Sequence, residues 1–372
     1  MLSVKCLLTH EGPGRSAARL LAALAVLGCA TTPTPDASLP ADIDAGSDAG
    51  SDAGHDAFVR PDAGPLPSCG NATPLALSQC IDSARYQTDL EAIAMPRVPA
   101  SPHWQAVQDL CASRLTSLGF AVERHTYETG VNVIGVRAGT ADATHEVLLG
   151  AHYDHIAGCD GADDNATGVA ATLELARVLT MASYPRTLVV ACWDEEERGL
   201  VGSRAYATRA MARGELIDAS FTFDMIGYTN DAPNSQTLPG GFSALFRAQA
   251  AEVAANENRA DFIAVIADPM SSTAATSLET YADRIGLPFV PILVPASLLD
   301  SPLIADLRRS DQASFWDRGY PGVFITDTSE FRYAAYHCRG GPDVVANLSQ
   351  HFGTLVASMT VAGVAQALGL SQ

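Results

Sequence analysis

The sequence predicts an α/β fold: three layers, α/β/α, around a mixed, mostly parallel central sheet. Three observations predict it. From residue 69 onward, buried-strand runs alternate with amphipathic helical stretches, and such alternation implies parallel strands with helices on both faces. An early pair of strands is joined by Glu128-Thr129-Gly130, a hairpin that makes one side antiparallel. Apolar runs also stop at chemistry-bearing residues: VLLGAHYDH at His152, LVVACWDEEERG at Glu196-Glu197 and SFTFDMIG at Asp224. An open α/β sheet binds ligands just beyond the carboxyl ends of its strands. Three such endings, with Asp164 and His337 on loops, suggest one shared centre.

The chain opens with an export segment, residues 1–29. Arg15 and Arg19 precede the apolar run from Leu20 to Gly28, and Cys29 follows. A run this short does not span a bilayer, which needs about 20 apolar residues; it has the proportions of a signal-peptide core. Val26-Leu27-Gly28-Cys29 resembles a bacterial lipobox, in which the cysteine becomes the lipidated first residue. Leu27 fits that pattern imperfectly, and an ordinary secretory signal is the alternative. The expectation is an exported protein, either a cell-envelope lipoprotein (periplasmic or on the outer-membrane side) or a secreted one. Membrane contact is expected only through that anchor.

Residues 30–68 read as a disordered tether. GSDAGSDAGHDA and its Thr-Pro and Asp-Ala-Gly neighbours hold almost no large apolar residue. Such a stretch cannot bury enough surface to offset its chain entropy. The net charge of −19 is shared between tether and domain: residues 36–64 hold seven Asp and one Arg, residues 1–35 contribute +2, and about −15 remains for the rest. No basic patch stands out, so nucleic acid is not an expected partner.

Residues 69–372 read as one domain, expected to be a monomer, without internal repeats. Helix is predicted from about Cys69 to Gly119. GFAVERHTY and VNVIGVRAG form the hairpin, and HEVLLGAH is a buried strand. Ala166–Met181 has apolar residues at three- and four-residue spacing, the mark of an amphipathic helix. TLVVACW is a strand, Leu200–Ala212 a helix and ASFTFDMI a strand. FIAVIA and LPFVPILV follow, then GVFITDT as the last strand and a closing helix from Val344 to Leu368.

Six cysteines lie beyond the export segment, in a compartment that permits disulfides. Cys192 falls inside an apolar strand and reads as a buried thiol. Cys159 follows the His152 loop and Cys338 follows His337; if those loops meet, the two are neighbours and can bridge. Cys80 with Cys111 is the second pairing considered.

Each candidate but Asp224 has a plainer reading alone. His152 and Asp154 are two apart at a strand end, so their side chains share a face; a carboxylate there can hold the far nitrogen of a ligand histidine or merely lie beside it. GADDNATG runs from a turn into a helix, where an Asp is commonly an N-cap. Asp194 to Glu197 can be a solvated acidic turn, or the two glutamates can divide labour between metal and proton transfer. Asp224 stands among apolar residues, which is costly unless it is paired or metal-bound. His337 alone is weak, and His155 stays unassigned near the site.

Taken together, GAHYDH, GADDNATG, WDEEERGLVGS, FDMIGY, RSDQASFWDRGYPGVFITDT and AAYH resemble the dizinc aminopeptidases of metallopeptidase family twenty-eight, in the family's order and over residues 145–345. The resemblance implies the zinc aminopeptidase, phosphorylase/hydrolase-like version of the fold. It implies two zinc ions per chain, with Asp164 bridging them, His152 and Asp224 completing one site, and Glu197 and His337 the other. It assigns Asp154 to orienting His152, Glu196 to the general base acting on a two-metal-activated water, and Tyr336 to the oxyanion. It also implies a cis peptide between Asp164 and Asn165. Two positions depart from the pattern. Gln312 stands where relatives often carry His, and the acid after His337 comes six residues on, at Asp343, rather than four.

The reading is an exported zinc aminopeptidase acting on peptides, with its pocket expected between Met270 and Asp311. The same resemblance leaves open a single-zinc enzyme like glutaminyl cyclase and a carboxypeptidase. A non-catalytic binding protein should have lost ligands, yet all five positions and Glu196 are intact. A serine hydrolase lacks its G-x-S-x-G elbow, and the H-E-x-x-H zinc helix is absent.

Overall fold

The computed structural model describes residues 64–371. The export segment, and the tether up to residue 63, lie outside the described residues. Eight strands form one sheet in the order β1-β2-β4-β3-β5-β8-β6-β7. They are β1 (Ala121–Thr126), β2 (Val131–Arg137), β3 (Asp142–His152), β4 (Arg186–Trp193), β5 (Leu216–Phe223), β6 (Ile263–Ala267), β7 (Phe289–Leu293) and β8 (Val323–Thr326). The central four, β4-β3-β5-β8, run parallel. The β1–β2 hairpin joins antiparallel at one side, and β6 meets β8 antiparallel at the other. The mixed, mostly parallel three-layer fold is as the alternation predicts.

Side chains alternate across the strands and build a core on each face. Val147, Leu149, Val190, Cys192, Phe221 and Ile325 face one side. That side is covered by α1 (Pro74–Ser78), α2 (Ser83–Ile93), α3 (Pro102–Ser117), α4 (Gly168–Leu179), α8 (Ser272–Ile285) and α10 (Gln350–Ala367). On the other side, Leu148, Val189 and Trp193 pack with α5 (Val201–Arg213) and α9 (Gln312–Trp316). There Ala264, Ile266, Ile292 and Phe324 pack with α6 (Phe242–Leu245) and α7 (Arg247–Ala255). The connection from β3 to β4 puts α4 on one face, and the return from β4 past β3 to β5 puts α5 on the other. The strand order therefore reverses at β3, where a crevice opens beyond the carboxyl ends.

Several boundaries differ from expectation. β5 stops at Phe223, because Met225 takes a left-handed φ of 59° and turns the chain off the sheet. The closing helix begins at Gln350, not Val344: Ser349 accepts a hydrogen bond from the Phe352 N–H and caps it, while Leu348 is still extended. The helix expected from Ala166 begins at Gly168, after a wide turn over Ala162–Thr167 that contains the cis Asp164–Asn165 peptide. A Cβ at Gly168 would lie 2.2 Å from Asn165 Oδ1, so that packing needs glycine.

Cys159 pairs with Cys338, as considered. Cys80 does not pair with Cys111. It bonds Cys69, eleven residues back, which the turn before α1 brings alongside. Cys111 stays a buried thiol beside Cys192. Among the described residues, no helix is long and apolar enough to cross a membrane.

One half-buried acid gives the fold a pH dependence. Burial pushes the Glu146 carboxyl, on β3, up to about 7, and nearby Glu215 adds to this. A carboxyl that holds its proton more tightly when folded stabilises the protein below its ordinary pKa; that contribution is lost as pH rises to about 7. Glu146→Gln therefore raises the melting temperature at pH 8, by roughly 2–4 °C, and changes it little at pH 4.5. Thermal melts at the two pH values check this.

Candidate metal centre

The carboxyl ends of β3, β4 and β5 bring the predicted residues together. His152 is the last residue of β3, Glu196 and Glu197 follow β4 by a short turn, and Asp224 directly follows β5. Asp164 arrives from the turn before α4, and His337 from a loop beyond β8. All six meet at the crevice.

Two groups of ligand atoms converge there. His152 Nε2 lies 3.4 Å from Asp164 Oδ1, 3.6 Å from Asp224 Oδ1 and 3.9 Å from Glu196 Oε2. It is buried without a hydrogen-bond partner among the described residues. On the other side of Asp164, His337 Nε2 lies 3.1 Å from Asp164 Oδ2 and 3.1 Å from Glu197 Oε2. Asp164 thus presents one oxygen to each group. Nitrogen and carboxylate oxygens that crowd without hydrogen bonding are arranged as ligands around an ion, and this donor set suits zinc. A third grouping, His155 with Cys159 and Asp343, offers no thiolate, because Cys159 is in a disulfide.

Charge supports the same reading. Burial alone would lower the His152 pKa, but Glu196, Asp154, Asp164 and Asp224 push it well above its ordinary value. Burial would likewise raise Asp164, yet His152, His155 and His337 hold it well below its usual range. So many buried carboxylates require positive charge among them. The two adjacent glutamates diverge. Burial pushes Glu196 well up, with Asp224 and Asp311 adding to it against His152. For Glu197, burial and Asp164 raise the pKa, but His155 and His337 prevail and hold it low.

The supports are specific. Asp154 accepts the Glu196 N–H at 3.0 Å and the Glu197 N–H at 3.3 Å, and lies 3.5 Å from His152 Nδ1. It thus ties the β3 end to the β4 turn. Asp194 and Glu195 do structural work: Asp194 accepts from Trp104 Nε1 and the Val131 N–H, and Glu195 pairs with Arg198. Asn165 donates to the Phe223 carbonyl and accepts the Met225 N–H, fixing the Asp224 turn. Asp343, the displaced acid, accepts the N–H groups of Asp163 and Asp164. Fully buried Arg97 donates to the carbonyls of Tyr153, Asp160, Gly161 and Asp164 and clamps the loop between the two ligands.

Four residues were missed or underread. His155 Nδ1 lies 2.8 Å from Glu197 Oε1 and 4.0 Å from Asp164 Oδ1, fully buried; its place three residues after His152 was the available signal. Buried Asp311 reaches the same cluster, its carboxyl pushed up to about 7 by burial against the pull of His152. Its neighbour Gln312 instead holds the Leu307 carbonyl. Arg309 donates to Tyr336 Oη at 2.8 Å. Nothing local in the sequence marks Arg97 or Arg309.

A mostly apolar pocket, open to solvent at its mouth, adjoins Asp164, Glu196, Asp224, Tyr336 and His337. Only its 290–309 wall falls in the stretch expected to form it; the rest comes from residues 236–266 and 324–331. Met270 is exposed and takes no part.

Residues 132–354 match the model of peptidase family M28. The chain belongs to that family. Escherichia coli protein YfbL, uncharacterized, is 30% identical over 206 residues, which are 52% of this chain and 59% of its own length. The match spans smaller shares of other curated relatives. The fold is shared with two further proteins. The Legionella pneumophila LapA aminopeptidase has a TM-score of 0.59 at 19% identity, covering 80% of this chain and 72% of that one. Porphyromonas gingivalis glutaminyl cyclase has a TM-score of 0.54 at 18% identity, covering 77% and 98%. At these identities the likeness shows the fold alone.

If His155 holds Glu197 in place, His155→Ala weakens metal binding about 10–100-fold, the usual cost of losing a group that orients a ligand. Competition with a chromophoric chelator measures it.

Proposed function

We propose that this chain is an exported, zinc-dependent aminopeptidase with two ions per chain. The observation that carries this reading is Asp164, whose two oxygens face two separate nitrogen–carboxylate groups. His152 and Asp224 would hold one ion, Glu197 and His337 the other, and Asp164 both. Two such ions would polarise a scissile carbonyl and acidify a bound water. A single-zinc cyclase would not need this doubled arrangement.

The chain's own residues supply the rest. Glu196 is the group left over when the ligands are assigned, and its proton affinity is raised while that of Glu197 is lowered. Environments that push neighbouring pKa values apart mark acid–base roles. Glu196 takes the proton from the attacking water and returns it to the leaving amine. Asp154 keeps both glutamates and His152 in register. Burial and Asp164 push the Tyr336 phenol up, so it stays protonated. Because Arg309 donates to the Tyr336 oxygen, the hydroxyl proton is free to point at the oxyanion. The acyl side of the substrate faces the apolar pocket, and the peptide leaves through the open side.

Glu196→Gln should lower kcat on aminoacyl-anilides by about 10²–10⁴-fold, the usual worth of a general base, while zinc content stays at the wild-type level. Hydrolysis kinetics beside metal analysis test this. A variant as active as wild type removes Glu196 from its role. Cyclisation of an N-terminal glutamine substrate without hydrolysis moves the chain to the cyclase chemistry.

A further inference from the structure

The sheet, or a turn tied to it, holds four of the five ligand residues. His152 ends β3, Asp224 directly follows β5, and Glu197 lies in the turn after β4, where Asp154 accepts its N–H. Asp164 is held through its N–H by Asp343 and through its carbonyl by Arg97. His337 differs. It lies in one tight turn, Tyr336–Cys338, and among the described residues the backbone hydrogen bonds donated by residues 336–340 run to residues 333–336. His337 and Cys338 also take left-handed φ values of 54° and 55°. Two consecutive non-glycine residues in that region are strained, and the strain persists only where the surroundings impose it.

The restraint sits beside the ligand. Cys338 is bonded to Cys159, 179 residues away in sequence. Cys159 is buried, and Arg97 holds the carbonyls of Asp160 and Gly161, the two residues that follow it. The bridge therefore fastens the residue next to His337 to a clamped part of the loop between His152 and Asp164. Arg309 holds Tyr336 through its phenol oxygen, at the far end of a side chain, which leaves the His337 backbone able to turn.

We infer that the Cys159–Cys338 disulfide is the positioning element of one ion site, so that the ion between Glu197 and His337 is held tightly only in the oxidised protein. This rests on the two-ion reading above. With the bridge cut, His337 and Cys338 relax to ordinary backbone conformations and the imidazole leaves Asp164 and Glu197. The ion between His152 and Asp224 loses no such support. Cys338 is partly exposed and Cys159 is buried, so a dithiol reductant meets the Cys338 sulfur. Its thiolate bonds to that sulfur, the S–S bond breaks, and Cys159 leaves as a thiolate that takes up a proton. The second thiol of the reductant then displaces Cys338. Two electrons and two protons pass to the protein, and the reductant ends as a disulfide. The second ion site is thereby completed only where disulfides form.

The test counts zinc in oxidised wild type, in reduced wild type and in Cys159→Ser/Cys338→Ser, with Cys69→Ser/Cys80→Ser as the control for the other bridge. A phosphine replaces the dithiol as reductant, because dithiols chelate zinc. Native mass spectrometry gives the stoichiometry, and competition with a chromophoric chelator gives the two affinities. Two ions are expected in oxidised wild type and in the control. In reduced wild type and in Cys159→Ser/Cys338→Ser, one affinity stays and the other falls about 10–100-fold, the usual cost of losing a group that orients a ligand. Reoxidation restores it in the wild type. Unchanged affinities for both ions in the reduced wild type overturn the inference. Equal weakening of both ions, or unfolding of the reduced wild type by circular dichroism, also overturns it, because the bridge then holds the domain and not one ligand. If Cys159→Ser/Cys338→Ser fails to fold, the reduced wild type decides alone. A single ion in oxidised wild type sinks the two-ion reading itself, before any reductant is added.

Discussion

Buried negative charge sets the terms for this protein. Asp154, Asp164, Glu196, Glu197, Asp224 and Asp311 meet at one end of the sheet; Asp154, Asp164 and Asp311 are buried and the other three partly so. Unpaired, such a cluster would repel itself and oppose folding. The histidines answer part of the charge, and His152 Nε2 and both His155 nitrogens make no ordinary hydrogen bond there. On the proposed reading, bound cations would resolve the conflict. The site is thereby suited to a metal centre, because the fold has left its carboxylates few other partners.

The fold's contribution is rigidity around that charge. Three parallel strands deliver their ends to one crevice. Backbone groups then hold each ligand-bearing turn: Asp154 takes the N–H groups of Glu196 and Glu197, Asp343 those of Asp163 and Asp164, and Asn165 that of Met225. Arg97 satisfies four carbonyls of the loop between His152 and Asp164, and the Cys159–Cys338 bridge ties the same loop to His337. Each support joins segments distant in sequence, so a ligand displaced in one turn is felt in another.

What was legible in the sequence follows from locality. The layers and the ligand positions at strand ends were readable because period-two apolar runs and the residues that end them lie side by side. The roles of His152, Asp164, Glu197 and His337 needed the family resemblance, since each had a plain local reading, whereas Asp224 stood out as a carboxylate among apolar residues. Arg97 and Arg309 were not legible, because their meaning lies in partners tens of residues away. The pocket was misplaced for the same reason: its walls come from three strands, from α6 and α7, and from several loops that only the sheet order brings together. Cys80 was mispaired because a turn of eleven residues decided its partner.

The account stands on the doubled role of Asp164. The most direct measurement is zinc per chain, by mass spectrometry of dialysed wild-type protein and of Asp164→Asn. The account predicts two ions in the wild type, and loss of both or markedly weaker binding of both in the variant. One ion in the wild type, with the same ion held equally well by Asp164→Asn, would contradict it.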